Sequence, residues 1–174
     1  FSETLFHAVG VGETESIRAW FQTNMASITE FTGSLSTISY QNRSDRITIR
    51  YVFDKLVNAG VKDGQRVDLV DIDALQKGIR SSYDIEHLLC QSDADSDEAQ
   101  EYIHQIGNLI VIPKQINGIM SNASFELKMA MLKEPWKYDN NIKHVPTYLQ
   151  EFVSEYGDAS WDQAAIKKRT ADLA

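Results

Sequence analysis

The chain has 174 residues, 43% of them hydrophobic, a formal net charge of −8 and a single cysteine, Cys90. That length supports one full core and is short for two ordinary domains, so a single domain over residues 1–174 is expected. No run approaches the roughly 20 apolar residues of a spanning helix and no charged-then-apolar leader opens the sequence, which argues against membrane insertion and secretion. One cysteine forms no intrachain disulfide and fits a reducing cytoplasm.

In chain order, Phe1, Leu5, Phe6 and Val9 recur at helical spacing until Gly10 and Gly12 interrupt them. Ile17, Trp20, Phe21, Met25 and Ile28 then mark one face of an amphipathic helix over 13–29. Residues 31–42, rich in Ser, Thr and Gly, read as a loop. Ser44 is placed to cap a helix through Asn58, with Ile47, Ile49, Tyr51, Val52, Leu56 and Val57 as its apolar stripe and Gly60 at its end. Asp63-Gly64 marks a turn, and a short helix begins at Asp71.

Residues 83–89 read as a strand bounded by polar punctuation, and the β-branched run 109–112 reads as another. Between them, 96–105 has a helix-start signal at Ser96 and inward positions at Ala99, Ile103 and Ile106. Pro113 suits a first helical position, since its ring fixes φ and its missing N–H has no partner to lose there. Asn117 then falls about one turn in. Ser124 opens a further helix carrying Phe125, Leu127, Lys128, Met131 and Leu132, which Pro135 stops; amphipathic helices are expected over 147–156 and 161–173.

Two strands and a helix in this order can gather Glu86, His87 and Asn117. The imidazole of His87 is matched to taking a proton from water near neutral pH. A carboxylate (Glu86) and an amide carbonyl (Asn117) are hard oxygen donors of the kind Mg²⁺ or Mn²⁺ accepts. Strand alternation puts Asp84 on the same face as Glu86, making it a rival ligand. Seven acidic and no basic residues lie between Asp84 and Glu101, whereas Lys114, Lys128, Lys133, Lys137 and Lys143 follow. Lys114 and Lys128, with Arg46 and Arg50 upstream, are candidate phosphate contacts. The net charge of −8 predicts weak, salt-sensitive DNA binding.

The ordered set Glu86-His87, Gln91, Gly107-Asn108-Leu109, Asn117, Phe125 and Lys128 resembles a ββα-metal (HNH) nuclease site. More closely, it resembles the C-terminal nuclease domain of GmrSD-type modification-dependent restriction enzymes and of SspE-like phage-defence proteins. Cys90 stands where that family tends to carry proline, and Trp161, Ile166 and Arg169 extend the likeness toward the C-terminus. The resemblance implies an α+β fold, mainly helical, enclosing a ββα-metal core at about 83–133. It implies a metal-dependent endonuclease that nicks or cleaves DNA in restriction of foreign DNA. His87 is then the general base, Glu86 and Asn117 are metal ligands, and Asn108 holds the loop that orients the histidine. It further implies an absent N-terminal sensor or nucleotide-using part, to which the start at Phe1 also points. One site contacts one strand, so a double-strand break calls for two events or a homodimer. An RNA endonuclease with the same residues, and a catalytically silent DNA-binding module, are the alternatives.

Overall fold

A computed structural model describes residues 15, 19, 23, 27–62, 66–70, 81–93 and 96–173. The expected elements at 1–12, 63–64 and 71–79 lie outside the described residues, as does most of the helix expected over 13–29. The chain divides into two compact units, Phe1–Ser34 and Leu35–Ala174. In the first, Thr23 Oγ1 donates to the Ala19 carbonyl at 2.9 Å, as helical residues four apart allow. Ser27 and Glu30 form a reciprocal cap: Glu30 Oε2 accepts from the Ser27 amide at 2.8 Å, and the Glu30 amide donates to Ser27 Oγ at 3.2 Å. This cap starts helix α1 (Ile28–Thr37). The loop expected over 31–42 is therefore corrected to a helix as far as Thr37, because the cap outweighs the weak helix propensity of Thr32, Gly33 and Ser34.

Within the second unit, α2 (Asp45–Val57) and β1 (Tyr83–His87) are followed by α3 (Asp97–Ile103), β2 (Leu109–Pro113) and α4 (Lys114–Met120). α5 (Phe125–Lys133), α6 (Thr147–Tyr156) and α7 (Gln163–Asp172) complete it. The architecture is α+β, mostly helical, with a small two-stranded antiparallel sheet. Among the described residues no helix is long and apolar enough to cross a membrane.

Ser44 does not cap α2 through its side chain. The carboxylate of Asp45 instead gathers the approach to the helix, Oδ2 accepting from the Ser39 amide and from Asn42 Nδ2, both at 3.1 Å. The buried face of α2 is Ile49, Val52 and Phe53, while Ile47, Tyr51 and Leu56 point outward. Gly60, at φ +73°, takes the left-handed conformation beyond the helix end. Ser96, Ser124 and Asp162 do cap α3, α5 and α7, accepting from the amides of Ala99, Leu127 and Ala165.

The sheet pairs Asp84 with Ile112, Glu86 with Ile110 and His87 with Leu109. β2 is buried on both faces, which explains its unbroken apolar run. Leu109 and Val111 join Leu35, Ile49, Val52 and Phe53 on one side. Ile110 and Ile112 join Ile116, Met120, Phe125, Met129, Leu149 and Phe152 on the other. β1 differs. Tyr83 and Ile85 pack on the α2 side, but the alternate positions, which share a face with Ile110 and Ile112, are the acidic Asp84 and Glu86. Carboxylates on a face otherwise given to core are an uncommon placement.

Candidate active site

Asp84 and Glu86 are two residues apart on β1 and so share its α4–α5 face. α4 follows β2 directly because Pro113 both ends the strand and precedes Lys114, where its ring geometry suits a helix entry. This brings Asn117, one turn into α4, against β1: its Nδ2 donates to Asp84 Oδ2 at 3.1 Å. Lys128, from α5, reaches the same face. Its Nζ lies 2.6 Å from Glu86 Oε1, donates to the His87 carbonyl at 2.5 Å and stands 3.4 Å from Cys90 Sγ. Lys128 is 1% exposed. The residue read as a surface contact for phosphate is thus an internal cation, pairing Glu86 and holding the end of β1.

His87, 5% exposed, lies at the last position of the regular strand pairing. Alternation therefore turns its imidazole to the face opposite Glu86. Nδ1 is 3.0 Å from Gln91 Nε2 and Nε2 is 3.1 Å from His104 Nδ1, while the Tyr40 ring meets the imidazole edge-on at 4.7 Å between centroids. If the Gln91 amide donates to Nδ1, His87 carries its proton on Nε2 and donates to His104. Burial, with smaller contributions from His104, Lys128 and Arg46, pushes the His87 pKa down to about 3. His104 is shifted the same way by burial and Arg46. Both rings are therefore neutral at pH 7.

His104, which the helical reading of 96–105 leaves able to reach the site, is brought there by pairings that sequence spacing does not reveal. It follows α3, and an isolated bridge between Ser39 and Gln105 together with the Tyr40 amide bond to the His104 carbonyl sets its position. No periodicity marks such a long-range pairing.

Asn108 is fully buried, and every polar atom of its side chain is used. Oδ1 accepts from the Leu89 amide at 2.8 Å and from Trp161 Nε1 at 3.0 Å. Nδ2 donates to the carbonyls of Leu89 and Ile103 at 3.1 and 2.8 Å, and the Asn108 carbonyl accepts from the Leu88 amide. The turn after β1 is thereby tied to the end of α3 and to Trp161. Gly107 lets α7 approach: a Cβ there would lie 2.2 Å from the Ile166 carbonyl oxygen. Arg169, 5% exposed, donates to the carbonyls of Gly107 and Leu109 at 2.7 and 2.8 Å. Gly107-Asn108-Leu109 and the Trp161, Ile166 and Arg169 set are two halves of one lock.

The other basic candidates differ in setting. Arg50 donates to the Tyr83 carbonyl at 2.9 Å, bracing β1. Arg46 donates to the Tyr40 carbonyl at 3.0 Å and lies 4.3 Å over the Tyr40 ring. Lys114 heads α4 and is half-buried. No cluster of three His, Cys, Asp or Glu occurs among the described residues. The donors on the β1–α4 face are two carboxylates and an amide, a hard oxygen set that suits Mg²⁺ or Mn²⁺ better than a soft metal. Glu86 already holds a cation there, the ammonium of Lys128.

Residues 25–174 match the family model of the C-terminal domain of GmrSD restriction endonucleases. No curated protein and no solved structure matches the chain.

Proposed function

The chain belongs to the family of GmrSD restriction endonuclease C-terminal domains, and from that premise we propose that it is a metal-dependent DNA endonuclease with a ββα-metal site. The observation that carries the reading is the Asp84 to Asn117 hydrogen bond, which joins strand and helix carboxylate to amide beside Glu86. Asp84, Asn117 and, through the carboxylate oxygen that Lys128 does not pair, Glu86 would hold the cation. A bound Mg²⁺ or Mn²⁺ supplies charge that offsets the scissile phosphate and the leaving oxygen.

His87 takes the proton of the attacking water, a role that requires the end of β1 to turn its imidazole from the face opposite Glu86 toward the cation. Its low pKa is a property of the buried ring, and an adjoining phosphate anion raises its proton affinity. Gln91, exposed over Nδ1, is the group whose displacement opens the ring to water, while His104 retains Nε2. Asn108 fixes Leu88 and Leu89, the residues that follow His87, and so sets where the strand ends. Targeting to foreign DNA belongs to other parts of a larger protein, consistent with a net charge of −8 here.

Titrating Mn²⁺ against plasmid nicking by Asp84→Ala, Glu86→Ala, Asn117→Ala and His87→Ala sorts these roles. Loss of a ligand is partly rescued by more cation, whereas loss of the base is not. A His87→Ala defect cured by Mn²⁺, or ligand variants indifferent to it, would overturn the assignment.

A further inference from the structure

A cavity of about 630 Å³ lies between the end of α5 and α6, apart from the residues described above. Its size falls in the range of small-molecule sites. Buried Leu132 and Val145 form an apolar floor, and Trp136, 47% exposed, stands in its wall. The indole is left half open to water beside this apolar floor, where a flat ligand can stack on it. Lys133 and Lys143 also line it, both exposed, and neither has an ion-pair or hydrogen-bond partner among the described residues. Lys137, close by in sequence, differs: it pairs with Glu134.

We propose that this cavity takes one unpaired nucleotide of the DNA strand being cut, its base stacked on Trp136 and its flanking phosphates on Lys133 and Lys143. The inference rests on the nuclease reading above and extends it to a second contact with the same strand. Charge singles out the occupant: two unpartnered ammonium groups, against the one carboxylate of Asp158, stand beside an aromatic face and match a polyanion that also carries π-faces. α5 carries both Lys128, buried beside the candidate site, and Lys133, in the cavity wall about 7.5 Å further along the axis and about 140° around it, so the strand would run from one to the other around the helix. Gln150 and Ser154, also in the wall, offer polar groups to a base edge.

The test measures anisotropy of a short fluorescent oligo(dT) against the whole chain in EDTA, so that cleavage plays no part. Trp136→Ala should weaken binding by about 5- to 100-fold, the range that stacking on one base supplies, and Trp136→Phe should restore most of it. The Lys133→Gln, Lys143→Gln double variant should flatten the slope of log K against log salt by about 1.4, roughly 0.7 for each single-strand phosphate contact. Circular dichroism establishes that each variant is folded. Wild-type affinity and salt slope in the variants, or no binding of oligo(dT) by the wild type, overturn the proposal even if the protein nicks plasmid. Binding that depends on Trp136 without any nicking sustains the pocket and removes the nuclease reading instead.

Discussion

Replacing Lys128 with methionine keeps an unbranched side chain while deleting the ammonium, and so isolates what that charge does. Lys128 is 1% exposed and the Glu86 side chain 15%, so the pair is well removed from water. The change strands the Glu86 carboxylate and takes a donor from the His87 carbonyl and from Cys90. Removing one member of a buried pair costs about 3–5 kcal/mol, against about 0–1 kcal/mol for an exposed one. The residual exposure of Glu86 favours the lower end, about 3 kcal/mol. For a chain of this size that is a fall in Tm of roughly 6–12 °C. Urea denaturation gives the loss directly, and a cycle with Glu86→Gln gives the coupling, expected at about 2 kcal/mol or more. Both single variants need circular dichroism to establish a native starting state. A loss below about 1 kcal/mol, with no coupling, would refute the view that this ammonium is an internal brace.

Gly107→Ala should destabilise by about 3 kcal/mol in urea, the upper range for overpacking, because the new methyl meets the Ile166 carbonyl at 2.2 Å and Thr170 Oγ1 at 2.3 Å. A neutral effect would mean that α7 is free to move away. Stability should also fall as pH drops from about 6.5 toward 3, since over that window the unfolded chain protonates His87 while the folded one, with its pKa pushed down to about 3, does not. Above 6.5 this contribution is complete. His87→Phe should flatten the slope by roughly 1 kcal/mol per pH unit between pH 4 and 6, and an unchanged slope would show that the buried imidazole is not its source.

Much of the scaffold is readable from local signals. Ser96 and Ser124 cap their helices as the sequence implies, Pro113 turns β2 into α4, and the run 109–112 is a strand buried on both faces. The misreadings have physical causes. The Ser/Thr/Gly composition of 31–42 hid the Ser27 to Glu30 cap, and Ser44 drew attention from the carboxylate of Asp45. The candidate site residues can be named from residue types in order, but their directions cannot. Glu86 and His87 are adjacent in sequence yet face different neighbours, because β1 stays regular through His87. A lysine read as a phosphate contact is buried because Glu86 awaits it across 42 residues, a pairing that no local pattern encodes. His104 joins His87 for the same kind of reason.

The central claim, cleavage by a cation held at Asp84, Glu86 and Asn117 with His87 as base, is tested most directly on supercoiled plasmid incubated with and without Mg²⁺ or Mn²⁺. Relaxed circles should form only with metal, and His87→Ala should slow their formation by about 10²- to 10⁴-fold while the protein remains folded. Nicking that persists in EDTA, or an undiminished rate in His87→Ala, would contradict the account.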